Sequence, residues 1–185
     1  MAVRSALVVV DMLNDFMDGV LGNPAAAGIV DPIRQLAARA RTTADWVVVY
    51  ACDAHELSDV ELRVFPPHAM AGTPGAAVVD ELEPQHGDVV VPKRFYSSFT
   101  ETRLEDELRA HDVGRVVLVG QHTDCCVRHT AYDAFSRAFE LAVCPDATTV
   151  FEPGSKEPLA ERQARALDYV RTYYGARLLA SSDVA

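Results

Sequence analysis

Short apolar runs rich in β-branched residues recur along this chain, each separated from the next by a stretch with helical spacing. This alternation is the feature that most restricts the fold. The runs lie at 6–10, 46–51, 88–91, 115–119 and 141–144, with a weaker one at 176–179 after the stop signal Gly175. Each has the length and composition of a strand buried on both faces. Helical segments are expected at 30–42, 101–111, 127–139 and 158–174. In 101–111, Leu104 and Leu108 stand four apart with charge elsewhere, the pattern of a helix covering a sheet. Strands alternating with helices of this length imply right-handed crossovers, hence a three-layer α/β/α sandwich with a mainly parallel sheet of about six strands.

A chain of 185 residues suits one domain, expected to span 1–185, since no linker, repeat or low-complexity tract interrupts it. A formal charge of −10 without a basic cluster disfavours nucleic acid and leaves a small molecule as the natural partner. No apolar run approaches the roughly 20 residues that span a bilayer. The first residues lead straight into a strand-like run, which sets the expectation of a cytoplasmic protein. The four cysteines, Cys52, Cys125, Cys126 and Cys144, fit no disulfide or zinc-finger framework and are expected to be buried, catalytic or metal-binding.

In folds of this class ligands bind beyond the carboxyl ends of the strands. Asp11, Asp53 and Lys93 stand at such ends, and Gly120 is followed shortly by Cys125 and Cys126. A cysteine between a strand and a helix start lies beside free N–H groups and the positive end of the helix dipole. Those features favour thiolate and can hold an oxyanion. Free cysteines are usually just small buried hydrophobes, and lysines usually surface charges. The shared position at strand ends favours chemistry for one of the two cysteines, with Asp11 as proton acceptor and Lys93 as the charge that tunes both. Spacing does not choose between Cys125 and Cys126.

Asp53-Ala54-His55 and the later His68 form a second constellation. They lie in or beside the longest irregular stretch, 54–74, and a loop of that length in a compact domain is usually functional. Carboxylate and imidazole ligands suit zinc, iron or manganese. Glu56, Asp59 and Glu61 lie between the histidines as further candidate ligands.

Together these residues resemble the isochorismatase-like cysteine hydrolases and, within them, the nicotinamidases, from Leu7 to about Phe151. Asp11 with Asn14-Asp15-Phe16 is similar to the first family motif, Lys93 with Tyr96-Ser97-Ser98-Phe99 to the second, and Gly120 through Thr123-Asp124-Cys125-Cys126-Val127 to the third. The resemblance implies that the nucleophile is Cys126, the cysteine directly before valine. It also implies a cis peptide between Gln121 and His122 that aims N–H groups, with that of Cys126, at the oxyanion. Asp53-Ala54-His55, Phe65-Pro66-Pro67-His68 and Gly72-Thr73-Pro74-Gly75-Ala76 resemble the metal motif of the nicotinamidase branch. By that likeness Glu61, seven residues before His68, is the fourth ligand, and zinc the leading metal. His122 departs from the family's small or aliphatic residue, and the loop between His55 and His68 is shorter than in many nicotinamidases.

The function implied is hydrolysis of a small carboxamide through a thioester, with nicotinamide the leading substrate and Phe16, Phe65 and His122 lining its pocket. A homo-oligomer is implied by the same likeness. The nearest alternative is a maleamate- or ureido-type amide hydrolase of the same superfamily. A more distant one is a non-enzymatic metal-binding or redox-sensing module built on Cys125 and Cys126.

Overall fold

The computed structural model describes residues 3–184. Six strands form one sheet: β1 (Arg4–Val10), β2 (Trp46–Asp53), β3 (Val89–Lys93), β4 (Val113–Gln121), β5 (Glu140–Thr149) and β6 (Arg177–Leu178). Their spatial order is β3-β2-β1-β4-β5-β6, and every neighbouring pair is parallel. Among the described residues five α-helices accompany them: α1 (Asn14–Met17), α2 (Ala27–Arg41), α3 (Leu104–Ala110), α4 (Cys126–Ser136) and α5 (Leu159–Tyr174). The architecture is the α/β sandwich expected from the alternation.

Side chains of β1 alternate between the two faces of the sheet, as strand geometry requires. Leu7 and Val9 pack with Ile33 and Leu36 of α2. Ala6, Val8 and Val10 pack on the other face with Leu104 and Leu108 of α3, Val127 and Ala131 of α4, and Val170 of α5. With helices on both faces the central strands β1 and β4 have no wet side, which is why their sequences are continuous apolar runs, whereas Val90 and Pro92 of the edge strand β3 are exposed.

Element ends differ from expectation for identifiable reasons. The segment at 101–111 becomes helical only at Leu104, because Glu101 has φ +55°, outside the helical region. The one at 127–139 starts at Cys126 and stops at Ser136, ahead of Ala138 with φ +60°. α2 begins at Ala27, three residues early, and carries Pro32 inside it. The fifth strand passes Cys144 and Pro145: the register with β4 breaks after Leu118–Val143 and resumes at Gly120–Thr148, so Pro145, which lacks a ladder donor, falls in the irregular part. β6 is shortened to two residues. The loop after β2 contains a 3-10 turn at Val60–Arg63 and another at Pro74–Ala76.

The order of strands reverses between β1 and β4: the chain builds outward from β1 to β3, then returns to continue from β4 to β6. The carboxyl ends of β1 and β4 therefore flank the crevice where such sheets bind ligands. Gly120 makes the close approach there possible. It has φ +100°, and a Cβ on it would lie 2.1 Å from the Val10 carbonyl oxygen. Gly120→Ala is expected to lower stability by more than about 2 kcal/mol, read as a reduced urea midpoint. An unchanged midpoint would show that the two strands separate readily.

Candidate active site

Register alone brings the first charged groups together. Val10 pairs with Ala51 and with Gly120, while Asp53 pairs with Lys93, so the residues ending four strands form one row along the sheet's carboxyl edge. Asp11 follows β1 with φ +50°, a left-handed conformation uncommon for a non-glycine residue. Its Oδ1 accepts the Asp53 N–H at 2.8 Å. Its own carbonyl accepts from the buried Gln121 side chain at 3.2 Å, and Gln121 in turn accepts from Asn23 at 3.2 Å.

Lys93 is the hub. Its ammonium lies 2.7 Å from Asp11 Oδ2, 2.5 Å from Asp53 Oδ1 and 3.7 Å from Cys126 Sγ, and its side chain is wholly buried. A buried ammonium is tolerated only when paired. Here two carboxylates hold it protonated, its pKa raised well above the usual lysine value even though burial opposes the charge. Serines of the loop after β3 hold this hub against α4. Ser98 bonds Thr130 Oγ1 through both its N–H and its hydroxyl, each at 3.0 Å, and the Ser97 hydroxyl donates to Asp133 at 2.5 Å.

Cys126 is the first residue of α4 and is buried. The peptide between Gln121 and His122 is cis. In the turn that follows, the Cys125 and Val127 N–H groups donate to the His122 carbonyl. Among the described residues, no acceptor engages the N–H groups of His122 and Cys126, which leaves both free for an oxyanion.

The electrostatics amend one expectation. Rather than being lowered by the helix start, the Cys126 thiol is pushed above its ordinary value by its bond with the Cys125 sulfur and by burial, against the pull of Lys93, while the same bond draws Cys125 down to about 6. It rests as a thiol. Burial and then the Asp53 carboxylate push Asp11 up to about 7, with Lys93 pulling the other way. That is the range in which a carboxylate exchanges protons effectively at neutral pH.

Beside this cluster, Asp53, His55, Glu61 and His68 are all buried, with ligand atoms within 4.8 Å of one another. His55 Nε2 lies 3.6 Å from Asp53 Oδ2 and 3.9 Å from Glu61 Oε2, and His68 Nε2 lies 3.6 Å from Glu61 Oε1. Donors bonded to one tetrahedral ion at about 2.1 Å stand about 3.4 Å apart, so the set fits a divalent metal. Both Nε2 atoms and Asp53 Oδ2 are buried without a hydrogen-bond partner, as ligand atoms awaiting a cation would be. The other imidazole nitrogens are engaged: His55 Nδ1 with Asp59 at 3.0 Å and His68 Nδ1 with the Pro66 carbonyl at 2.8 Å, which points each Nε2 inward. Burial lowers His55, but the carboxylates of Asp53 and Asp59 outweigh it and raise it to about 9, so the pocket strongly favours positive charge.

Of the candidate ligands between the histidines, Glu61 joins the cluster. Asp59 instead orients His55 and is held by Arg94. Glu56 pairs with Arg94 at 3.6 Å at the surface. Asp53 proves to serve both groups, one oxygen on Lys93 and the other facing His55.

A cavity of about 260 Å³ opens over Cys126, walled by Phe16, Leu21, Phe65, Tyr96 and Phe151, with Glu61 and His122 on its lining. Phe16 meets His68 and His122 edge-on at 5.4 and 5.6 Å between centroids. Burial pushes His122 down to about 4, so it is a neutral imidazole. Sequence reading missed Leu21, Phe151 and the Arg162–Asp124 pair (2.7 Å), which also line the cavity. Phe151 and Arg162 lie far from the motifs, and although Asp124 belongs to the third motif and Leu21 stands shortly after the first, only the fold shows that they face the cavity.

The isochorismatase domain family model matches residues 5–180 of the chain. The chain belongs to the isochorismatase family. Among solved structures of this family, N-carbamoylsarcosine amidase from Thermoplasma acidophilum is 38% identical with a TM-score of 0.88, the match covering 98% of each chain. Nicotinamidase PncA from Bacillus subtilis is 32% identical with a TM-score of 0.83, covering 95% of this chain and 98% of that one. Pyrazinamidase of Pyrococcus horikoshii, solved in complex with zinc, is 29% identical with a TM-score of 0.84, covering 96% and 99%. The chain is thus an isochorismatase-family amide hydrolase of the nicotinamidase-like branch, and the non-enzymatic alternative is set aside.

With Asp11 as the proton acceptor proposed below and its pKa raised to about 7, kcat/KM is expected to climb as pH rises through neutrality. Asp11→Asn is expected to lose at least about 100-fold in kcat. A pH–rate profile with its acid limb near 4 would contradict the electrostatic account.

Proposed function

We propose that the chain hydrolyses nicotinamide to nicotinate and ammonia through a thioester on Cys126. The observation that carries this reading is the shared cavity: Cys126 and the metal-ligand cluster, represented by Glu61, open onto one small aromatic-walled space. A flat heteroaromatic amide suits it, with its carboxamide at the thiol and its ring nitrogen toward the cluster. The volume lies just below the roughly 300–1,000 Å³ common for ligand sites, in keeping with a small substrate.

In this mechanism Asp11 takes the Cys126 proton while Lys93 stabilises the charges on both, and the thiolate adds to the amide carbon. The N–H groups of His122 and Cys126 receive the developing oxyanion. Asp11 returns the proton to the departing nitrogen, ammonia leaves, and a thioester remains. Asp11 then takes a proton from water, whose oxygen attacks the thioester, and the acid departs as Cys126 recovers its proton. A divalent ion, with zinc the leading candidate, would be held by Asp53, His55, Glu61 and His68 and would supply a Lewis-acid contact that orients the ring nitrogen.

A cytoplasmic setting agrees with four free cysteines and with the absence, among the described residues, of a helix long and apolar enough to cross a membrane. The exposed aromatics Tyr132, Phe135, Tyr169 and Tyr173 on α4 and α5 are compatible with assembly into a homo-oligomer.

A ureido-type acid is the second reading. It is favoured by the 38% identity to N-carbamoylsarcosine amidase and by Arg162, held by Asp124, among the residues lining the cavity. Purified enzyme is expected to release ammonia from nicotinamide, and Cys126→Ala to release none. Turnover of N-carbamoyl amino acids with nicotinamide untouched would establish the second reading instead.

A further inference from the structure

The Asn14-Asp15-Phe16 motif is only partly used by the chemistry above. Phe16 walls the cavity, yet the Asp15 carboxylate points the other way, into the loop that carries His68. Its Oδ2 accepts the N–H of Ala69 at 2.7 Å. Ala69 is covalently next to His68, fully buried, and has φ +42°. The Ala69 carbonyl in turn accepts the His55 N–H at 2.9 Å, and the His55 carbonyl accepts the Ala71 N–H at 2.9 Å. One peptide segment therefore links both histidines, and a carboxylate from the turn after β1 holds that segment by its N–H.

The surroundings are shaped around this carboxylate. A Cβ on Gly75 would fall 2.2 Å from Asp15 Oδ2, and one on Gly19 would fall 2.4 Å from Asp15 Oδ1. The two turns are also joined around it: the Asn14 side chain donates to the Pro74 carbonyl at 2.9 Å, the Asn14 N–H to the Ala77 carbonyl at 3.0 Å, and Leu13 bridges Val78. The glycine of the Gly72-Thr73-Pro74-Gly75-Ala76 segment thus gives Asp15 the room to reach Ala69.

We propose that Asp15 is a positioning residue for the metal centre, fixing the Ala69 peptide so that His55 and His68 present their Nε2 atoms to a common point. The inference rests on the metal reading given under the proposed function. A left-handed residue between two ligand-bearing segments has nothing in its own sequence to hold it there, and a charge-assisted bond to its N–H supplies the restraint. Removing that restraint lets the two imidazoles drift apart, which weakens an ion needing both while leaving the Lys93 hub intact.

The test is zinc affinity of the full-length chain, measured by competition with a chromophoric chelator. Asp15→Ala is expected to weaken zinc on the order of 10-fold, with Asp15→Asn, which keeps an acceptor oxygen, recovering part of the loss. The rate at which iodoacetamide alkylates Cys126 in metal-free protein is expected to stay unchanged, which a general loosening of the fold would not allow. Should Asp15→Ala fail to fold, Asp15→Asn and Gly75→Ala, whose added methyl displaces the carboxylate, serve the same comparison and are expected to weaken zinc. Wild-type affinity in the folded variants overturns the inference alone. Failure of the wild-type chain to take up zinc overturns the metal reading and this inference together.

Discussion

A single buried ammonium organises this molecule. Lys93 sits at the carboxyl edge of a parallel sheet, without access to water, and its charge is tolerable only because Asp53 of the neighbouring strand β2 and Asp11, just after β1, both face it. Burial and then Asp53 raise Asp11 to about 7, the two carboxylates keep Lys93 protonated, and the bond with Cys125 together with burial raises the neighbouring Cys126 thiol against the pull of Lys93. A lysine in the same place without those partners would lose its proton to burial.

Asp53 joins this hub to the candidate metal centre. One oxygen contacts Lys93 and the other faces His55. Charge at one centre is therefore felt at the other over a single carboxylate. Cys126 of the one centre and Glu61 of the other line the same cavity. The free N–H groups of His122 and Cys126 complete the geometry from the turn between β4 and α4, where the sheet's strand order reverses.

Much of the fold was legible because burial on both faces leaves an unmistakable mark: strands without polar alternation, such as 6–10 and 115–119, have to lie inside a layered structure. The residues following those runs could be named as candidates for the same reason, since ligands gather at strand ends. Positive-φ residues such as Glu101 and Ala138 were not legible as helix stops, because neither is glycine and their conformation is imposed by neighbours. Asp59 read as a possible ligand and proved to be an orienting group, a distinction that depends on which carboxylate reaches His55 Nδ1. Arg162 and Phe151 carry no motif and reach the cavity only through the packing of α5 and the loop after β5.

The sequence by itself determined the layered parallel architecture, the family, and the residue types available for catalysis and metal binding, because periodicity and strand-end position are local properties of the chain. The tertiary structure alone decided that Asp53 is shared between two centres, that Cys126 rests protonated, and that Asp15 reaches a histidine-bearing loop 54 residues away. Those outcomes depend on distances between charges and donors brought together by strand register, and electrostatic energy follows spatial separation rather than order along the chain.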